Sequence, residues 1–315
     1  MSIMRVYCHK HYEECIIQPR RYWHRGLMKE MSSFAGWNLI RTSITMTSAY
    51  GQGIILNHFF GVILNAAQGI AGQINGQLQV LSSNMLKALN PILGKSAGAN
   101  NKELLLKSTI LGAKYSAALY LLVAIPIFIE APYILKIWLK NIPEWTIIFV
   151  RFQLLKSFIE FQFTTLPGAI NATGKIKKYT IWSSISNIMQ LPVIYLFFKI
   201  SFPPYSMYIS TILFGNICVY IIAMHYAKLY YQLSISVYFK KTLLPLYITT
   251  TLVMGLLYIV QSLFEINSIW RLLSFIILSI LLFILTFFII GCTKEEKNLI
   301  FELKNTISNK IFHHN

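Results

Sequence analysis

The chain has 315 residues, of which 55% are hydrophobic, 14% aromatic and only 12% charged, about half the charged share usual in soluble domains. A soluble globule has too little interior to hide so much apolar surface, which argues against a soluble enzyme, a disordered tail and a disulfide scaffold. Lys plus Arg number 28 against 11 Asp plus Glu, giving a formal net charge of +17. Whether that charge marks nucleic acid or membrane topology depends on where it falls along the chain.

Residues 1–30 are polar and basic, lack the apolar segment of a cleavable signal peptide, and read as a cytoplasmic linker. Within them Cys8, His9, His11 and Cys15 match no standard zinc-ligand spacing, so no metal is expected. Apolar stretches then recur at 33–56, 67–89, 107–129, 146–169, 179–199, 205–227, 243–264 and 270–291. Each is long enough to cross about 30 Å of hydrocarbon as a helix. The predicted fold class is therefore all-α, a polytopic membrane helical bundle of about eight transmembrane helices. Its parts are a six-helix lobe over 31–230, a final pair of helices over 231–291, and an amphipathic cytoplasmic tail over 292–315. Thr293 is the candidate N-cap of that tail, with Leu299, Ile300, Leu303, Ile307 and Ile311 along one side.

With eight crossings both termini share a side. That side collects the leader cations and Lys87, Lys95, Lys102, Lys107, Lys114, Lys175, Lys177, Lys178, Lys228, Lys240 and Lys241, with the tail lysines. The opposite connections hold Lys136, Lys140, Lys199 and, at the lip of the last span, Arg271. This is the positive-inside pattern; it places both termini in the cytoplasm and makes the weakly apolar second span a true crossing. Charge scattered over many short loops matches no nucleic-acid-binding fold, so nucleic acid is not an expected partner. Cys8, Cys15 and Cys292 then face a reducing compartment and no disulfide is expected. The opposite face offers Glu130, Glu144, Glu265 and His58 on short connections. There is no nucleophile–base pair, carboxylate pair, phosphate-cradling glycine loop or metal cluster, so neither an enzyme nor a cofactor is expected.

Polar side chains in hydrocarbon are costly and usually face a bundle interior or a water-filled cavity. Asn38, Arg41, Thr45, Ser48 and Gln52 share one helical face of the first span. Asn65, Gln68, Gly72, Asn75, Gln79 and Ser82 do so in the second, and Gln153, Lys156, Glu160, Thr164, Pro167 and Asn171 in the fourth. Three such stripes point to a shared hydrophilic cavity, with Arg41, Gln52, Asn75, Gln79, Lys156 and Glu160 as candidate substrate-binding residues. Other readings stand beside this one. The second stripe is equally a packing device, with Gly72 and Gly76 at a close helix crossing. Lys156 and Glu160, one turn apart, are expected to neutralise each other, and Arg151 to snorkel to the outer interface. Arg41 shares its span with no carboxylate; its guanidinium fork suits paired phosphate oxygens.

The series Phe34-Ala35-Gly36-Trp37, Gly51-Gln52-Gly53, Asn57-His58-Phe59-Phe60-Gly61, Asn65-Ala66-Ala67-Gln68-Gly69-Ile70-Ala71 and Ala88-Leu89-Asn90-Pro91, followed by Ala172-Thr173-Gly174-Lys175, carries a resemblance. It resembles bacterial oligosaccharide flippases of polysaccharide and lipopolysaccharide biosynthesis, within the multidrug/oligosaccharidyl-lipid/polysaccharide exporter superfamily. The resemblance implies two six-helix lobes around a central cavity, often with two extra helices. This chain matches the second lobe and the extra pair, so it implies a missing N-terminal lobe or a second chain as partner. It also implies a lipid-linked oligosaccharide as cargo, with its pyrophosphate held first by Arg41 and then by Lys156, and membrane lipid against the final pair. The alternatives are a cation-coupled small-molecule exporter, for which Glu160 is the available carboxylate, and a non-transporting membrane subunit or glycan-modifying enzyme.

Overall fold

The structure is a computed structural model that describes residues 2–12, 23–263, 268–298 and 302, and the regular structure among them is entirely helical. In chain order the helices are α1 (Ser2–His11), α2 (Arg25–Gly98), α3 (Lys102–Trp138), α4 (Thr146–Phe161), α5 (Thr165–Ala172) and α6 (Lys177–Lys199). They continue with α7 (Ser206–Tyr231), α8 (Ile235–Ser262) and α9 (Ile269–Gly291). Among the described residues six of these, α2, α3, α6, α7, α8 and α9, are long and apolar enough to cross a membrane.

Six helices accommodate eight predicted spans for two local reasons. The 74-residue α2 contains one non-helical residue, Gly61, at φ 77° and ψ −175°. A Cβ placed on Gly53 would lie 3.4 Å from Asn65 Oδ1 and 3.8 Å from Gln68 Oε1, whereas a straight helix would hold residues 53 and 65 about 18 Å apart. The chain therefore reverses at Gly61, and the arms 25–60 and 62–98 are the first two predicted spans. The fourth predicted span is broken between α4 and α5. The Thr164 hydroxyl donates to the Glu160 carbonyl at 2.7 Å, and Phe163, whose carbonyl would meet the missing N–H of Pro167, accepts instead from the Leu166 N–H at 3.0 Å. The buried Gln162 carbonyl, which the break leaves without its helical donor, accepts from the Tyr238 hydroxyl at 2.5 Å.

Cross-helix contacts fix which ends lie together. Trp37, early in α2, meets Lys177 at the start of α6, and Leu93 in the returning arm meets Gly168 in α5. Tyr179 and Tyr226 bring the start of α6 to the last turns of α7. At the other end Trp145 packs on Tyr205, ahead of α4 and α7. The passes alternate, so the lysines of the even connections gather at one end of the bundle. The larger apolar core surrounds Leu56, Ala67, Phe149 and Leu257, and a smaller one near the lysine-rich end surrounds Leu93, Leu166, Ile170 and Ala227.

Two buried ion pairs fasten the last helices to α3. Near one end, Arg271 Nη1 and Nη2 donate to Glu130 Oε1 and Oε2 at 3.0 and 2.6 Å, and Gln261 Nε2 adds a bond to Oε1 at 3.2 Å. Near the lysine-rich end, Lys114 Nζ donates to Glu296 Oε2 at 2.6 Å. The same carboxylate oxygen takes the Thr293 N–H at 2.7 Å while the Thr293 hydroxyl takes the Glu296 N–H at 3.4 Å, a reciprocal capping box. Thr293 thus caps the tail helix as its sequence predicted. The apolar side proposed for that helix, from Leu299 to Ile311, lies outside the described residues.

Arg151 departs from expectation. Its side chain is held against α3: its Nε donates to the Phe128 carbonyl at 3.2 Å, and its guanidinium lies 5.6 Å from the Phe128 ring centre. The helical partner of that carbonyl would be residue 132, a proline without an N–H, so the arginine satisfies an acceptor that the helix leaves open.

Candidate functional site

A cavity of about 660 Å³ opens among α2, α4, α5, α6 and α7. The first arm of α2 contributes Arg41, Thr45, Ser48 and Gln52 from a single face, as their spacing predicts. Lys156 and Glu160 enter from α4, and Thr164, Pro167, Gly168 and Asn171 from the break and α5. The first and fourth polar stripes thus meet in one space.

The second stripe does not join them. Asn75 is buried and accepts from the Tyr120 hydroxyl at 2.8 Å, and Gln79 Nε2 donates to the Ser157 hydroxyl at 3.0 Å. Both side chains bond toward α3 and α4, outside the cavity lining. The arm's only lining residue is Asn90. Gly72 and Gly76 also differ from expectation: a Cβ on either would meet nothing within 4 Å, so neither sits at a close crossing. Close approach falls instead at Gly112, where a Cβ would stand 2.7 Å from Leu89 and 2.9 Å from Thr165, and at Gly51 against Leu191.

Sequence reasoning missed the opposite wall. Tyr179, Ser183, Asn187 and Gln190 line the cavity from α6, and Thr211, Gly215, Asn216 and Tyr220 from α7. The signal was present on α6, where Tyr179, Ser183, Asn187 and Gln190 recur at steps of four, four and three. Gln190 organises this wall. Its Oε1 accepts from Gln52 Nε2 at 2.7 Å, and its own Nε2 donates to the carbonyl and Oδ1 of Asn187 at 2.7 and 2.8 Å. The Asn187 carbonyl also accepts from Ser48 at 3.2 Å. A Cβ at Gly215 would come within 3.2 Å of Gln190 Oε1, so a bare glycine keeps room for the amide. Thr211, Gly215 and Asn216 belong to a π-helical stretch, Thr211–Cys218, a widened turn common at functional sites. Asn216 Nδ2 pins it to the Lys156 carbonyl at 2.9 Å.

The charges divide clearly. Lys114 and Arg271 are ion-paired and Arg151 has its carbonyl. Lys156 and Glu160, expected to neutralise each other, form no ion pair among the described residues, and neither does Arg41. Arg41 stands beside Tyr179, and Glu160 lies within electrostatic reach of Tyr220. The cavity wall therefore carries two half-buried cations and one carboxylate without ionic partners among the described residues. Unpaired charge is costly at this depth, and such groups are available to a ligand. No group of three or more side chains suited to a metal ion occurs among the described residues.

Comparison with curated proteins and with solved structures gives no match. The MatE family model matches residues 39–196, half of the chain. That segment runs from the first arm of α2 nearly to the end of α6 and includes Arg41, Gln52, Lys156 and Glu160. With an all-helical bundle bearing six membrane-length apolar helices, the chain belongs to the MatE family, membrane transporters of the multidrug/oligosaccharidyl-lipid/polysaccharide exporter superfamily.

Proposed function

We propose that the chain forms part of a flippase that moves a lipid-linked oligosaccharide across a bacterial inner membrane. Its cavity receives the pyrophosphate that joins lipid to glycan. The observation that carries this reading is the pair Arg41 and Lys156, both lining the cavity and both without an ionic partner among the described residues. A guanidinium fork and an ammonium suit a group with several anionic oxygens. The lysine-rich end faces the cytoplasm in this reading, where lipid-linked precursors are made and where positive charge accumulates. Alternating access sets the cavity against a second lobe, supplied by another segment or another chain.

The test is flipping of a fluorescent polyprenyl-pyrophosphate oligosaccharide in proteoliposomes holding a transport-competent assembly. Arg41→Ala is expected to reduce flipping at least tenfold, the order lost with one or two charge-assisted hydrogen bonds of about 1.5–3 kcal/mol each. Arg41→Lys is expected to retain part of it, keeping the charge without the fork. Unchanged flipping with Arg41→Ala rejects the pyrophosphate role.

Glu160 favours a second reading, a cation-coupled exporter of small amphiphiles, because its carboxylate remains unpaired in the same cavity. Under that reading Glu160→Gln removes the dependence of dye export on a proton or sodium gradient. Under the flippase reading the same substitution removes a negative charge from beside the pyrophosphate and leaves glycan flipping active. The two assays on one variant separate the readings.

A further inference from the structure

We propose that the lysine-rich mouth of the cavity holds a separate docking site for a pyrophosphate headgroup, built from Trp37 and Lys177, which passes the group inward to Arg41. The proposal rests on the reading that the cavity takes a pyrophosphate-bearing lipid.

Lys177 is exposed at the start of α6, and its Nζ stands 5.6 Å from the centre of the Trp37 ring on α2. That ring stabilises the cation and holds its flexible stem, leaving ammonium donors for a ligand. Trp37 is half-buried beside the start of α6, and tryptophan favours the headgroup layer. Arg41 follows Trp37 by one turn on the same helical face, about 6 Å further in. Tyr179 follows Lys177 on α6 and stands beside Arg41. Two pairs, Lys177 over the Trp37 ring and Arg41 beside Tyr179, therefore bridge the α2–α6 seam in succession. In the outer pair the cation belongs to α6 and the ring to α2; in the inner pair these roles are exchanged. Neither cation is in an ion pair among the described residues.

Lys156 lines the same cavity from α4, so an anion moving inward meets a cation at the surface, one turn in, and again on the cavity wall. The flank of the same seam is apolar, with Leu39, Ile40, Ile181 and Trp182 exposed. A ligand with an anionic head and a long hydrocarbon tail fits both features, its tail remaining in lipid while its head moves along the cations. A soluble phosphate uses only the first.

The test is binding of polyprenyl pyrophosphate to the full chain in phosphatidylcholine nanodiscs, with four variants. Lys177→Gln and Trp37→Leu are expected to weaken binding about fivefold each, the effect of a surface cation contact near 1 kcal/mol. Lys175→Gln, an exposed loop lysine two residues away, is expected to change it less than Lys177→Gln, and added salt is expected to shrink the Lys177 effect. Equal losses for Lys175→Gln and Lys177→Gln would show a diffuse charge effect and overturn the docking site. If Arg41→Gln weakens binding while Lys177→Gln and Trp37→Leu do not, the docking site falls and the cavity reading stands. If Arg41→Gln also has no effect, the cavity reading falls with it. Equal competition by inorganic pyrophosphate would assign the mouth to soluble phosphate, and equal competition by phosphatidylglycerol to ordinary anionic lipid; either result overturns the proposal.

Discussion

Glu130→Ala is expected to destabilise the protein by about 3–5 kcal/mol, the usual consequence of leaving one half of a buried ion pair without its partner. The Glu130 side chain is 1% exposed and that of Arg271 11%, so little water reaches the arginine once the carboxylate is gone. The loss reaches three residues, because Gln261 shares the same carboxylate. Thermal unfolding in detergent measures it. The double variant Glu130→Leu with Arg271→Met is expected to recover most of the loss, since a buried pair replaced by apolar groups of similar volume is often neutral. If the double variant were as unstable as the single, packing around the site would be responsible, and the unpaired charge would not.

Gly61→Val carries the second large effect. At φ 77° and ψ −175° the backbone occupies a region open essentially only to glycine. No atom lies within 4 Å of the place a Cβ would take, so the penalty is torsional strain and not a clash. A cost of about 1–3 kcal/mol is expected, with the reversal between the two arms of α2 loosened. Gly69→Ala is the control, at another glycine with open space around it but within a regular helical stretch. It is expected to be neutral or to stabilise by about 0.5–1 kcal/mol. The opposite signs, read by thermal unfolding, separate backbone conformation from any general intolerance of side chains at glycine.

The long apolar helices were legible because hydropathy over about 20 residues marks segments of membrane length, and the alternation of lysines kept even the weakly apolar second segment in the count. Half of the candidate site was legible for a related reason. A 3.6-residue period shows which side chains share a face, and Arg41 to Gln52 do line the cavity with Lys156 and Glu160. Periodicity does not say what that face meets. Asn75 and Gln79 form an equally regular stripe, yet their hydrogen bonds are to Tyr120 and Ser157. Pairings across the chain were not legible: Glu130 and Arg271 are 141 residues apart and Lys114 and Glu296 are 182 apart, and each looked like an isolated charge. Local backbone chemistry was the other gap. The Thr164 bond to Glu160 and the proline at 167 end α4 early, and the one-residue reversal at Gly61 is tighter than the ten-residue connection that hydropathy suggested.

The two ion pairs on α3 give the lobe a stiff flank and a compliant one. One charged rivet holds the start of α9 to α3 and the other holds the segment just beyond α9 to the same helix, so sliding and rotation of α9 are resisted from both sides and these helices act mechanically as one beam. The seam between α2 and α6 has no ion pair among the described residues; besides the Lys177–Trp37 contact it is stitched by neutral hydrogen bonds such as Gln52 to Gln190 and Ser48 to Asn187. Neutral bonds of this kind exchange readily with water at a net cost of about 1 kcal/mol each. Under load, such a body yields on the stitched side, where the cavity and its cations lie.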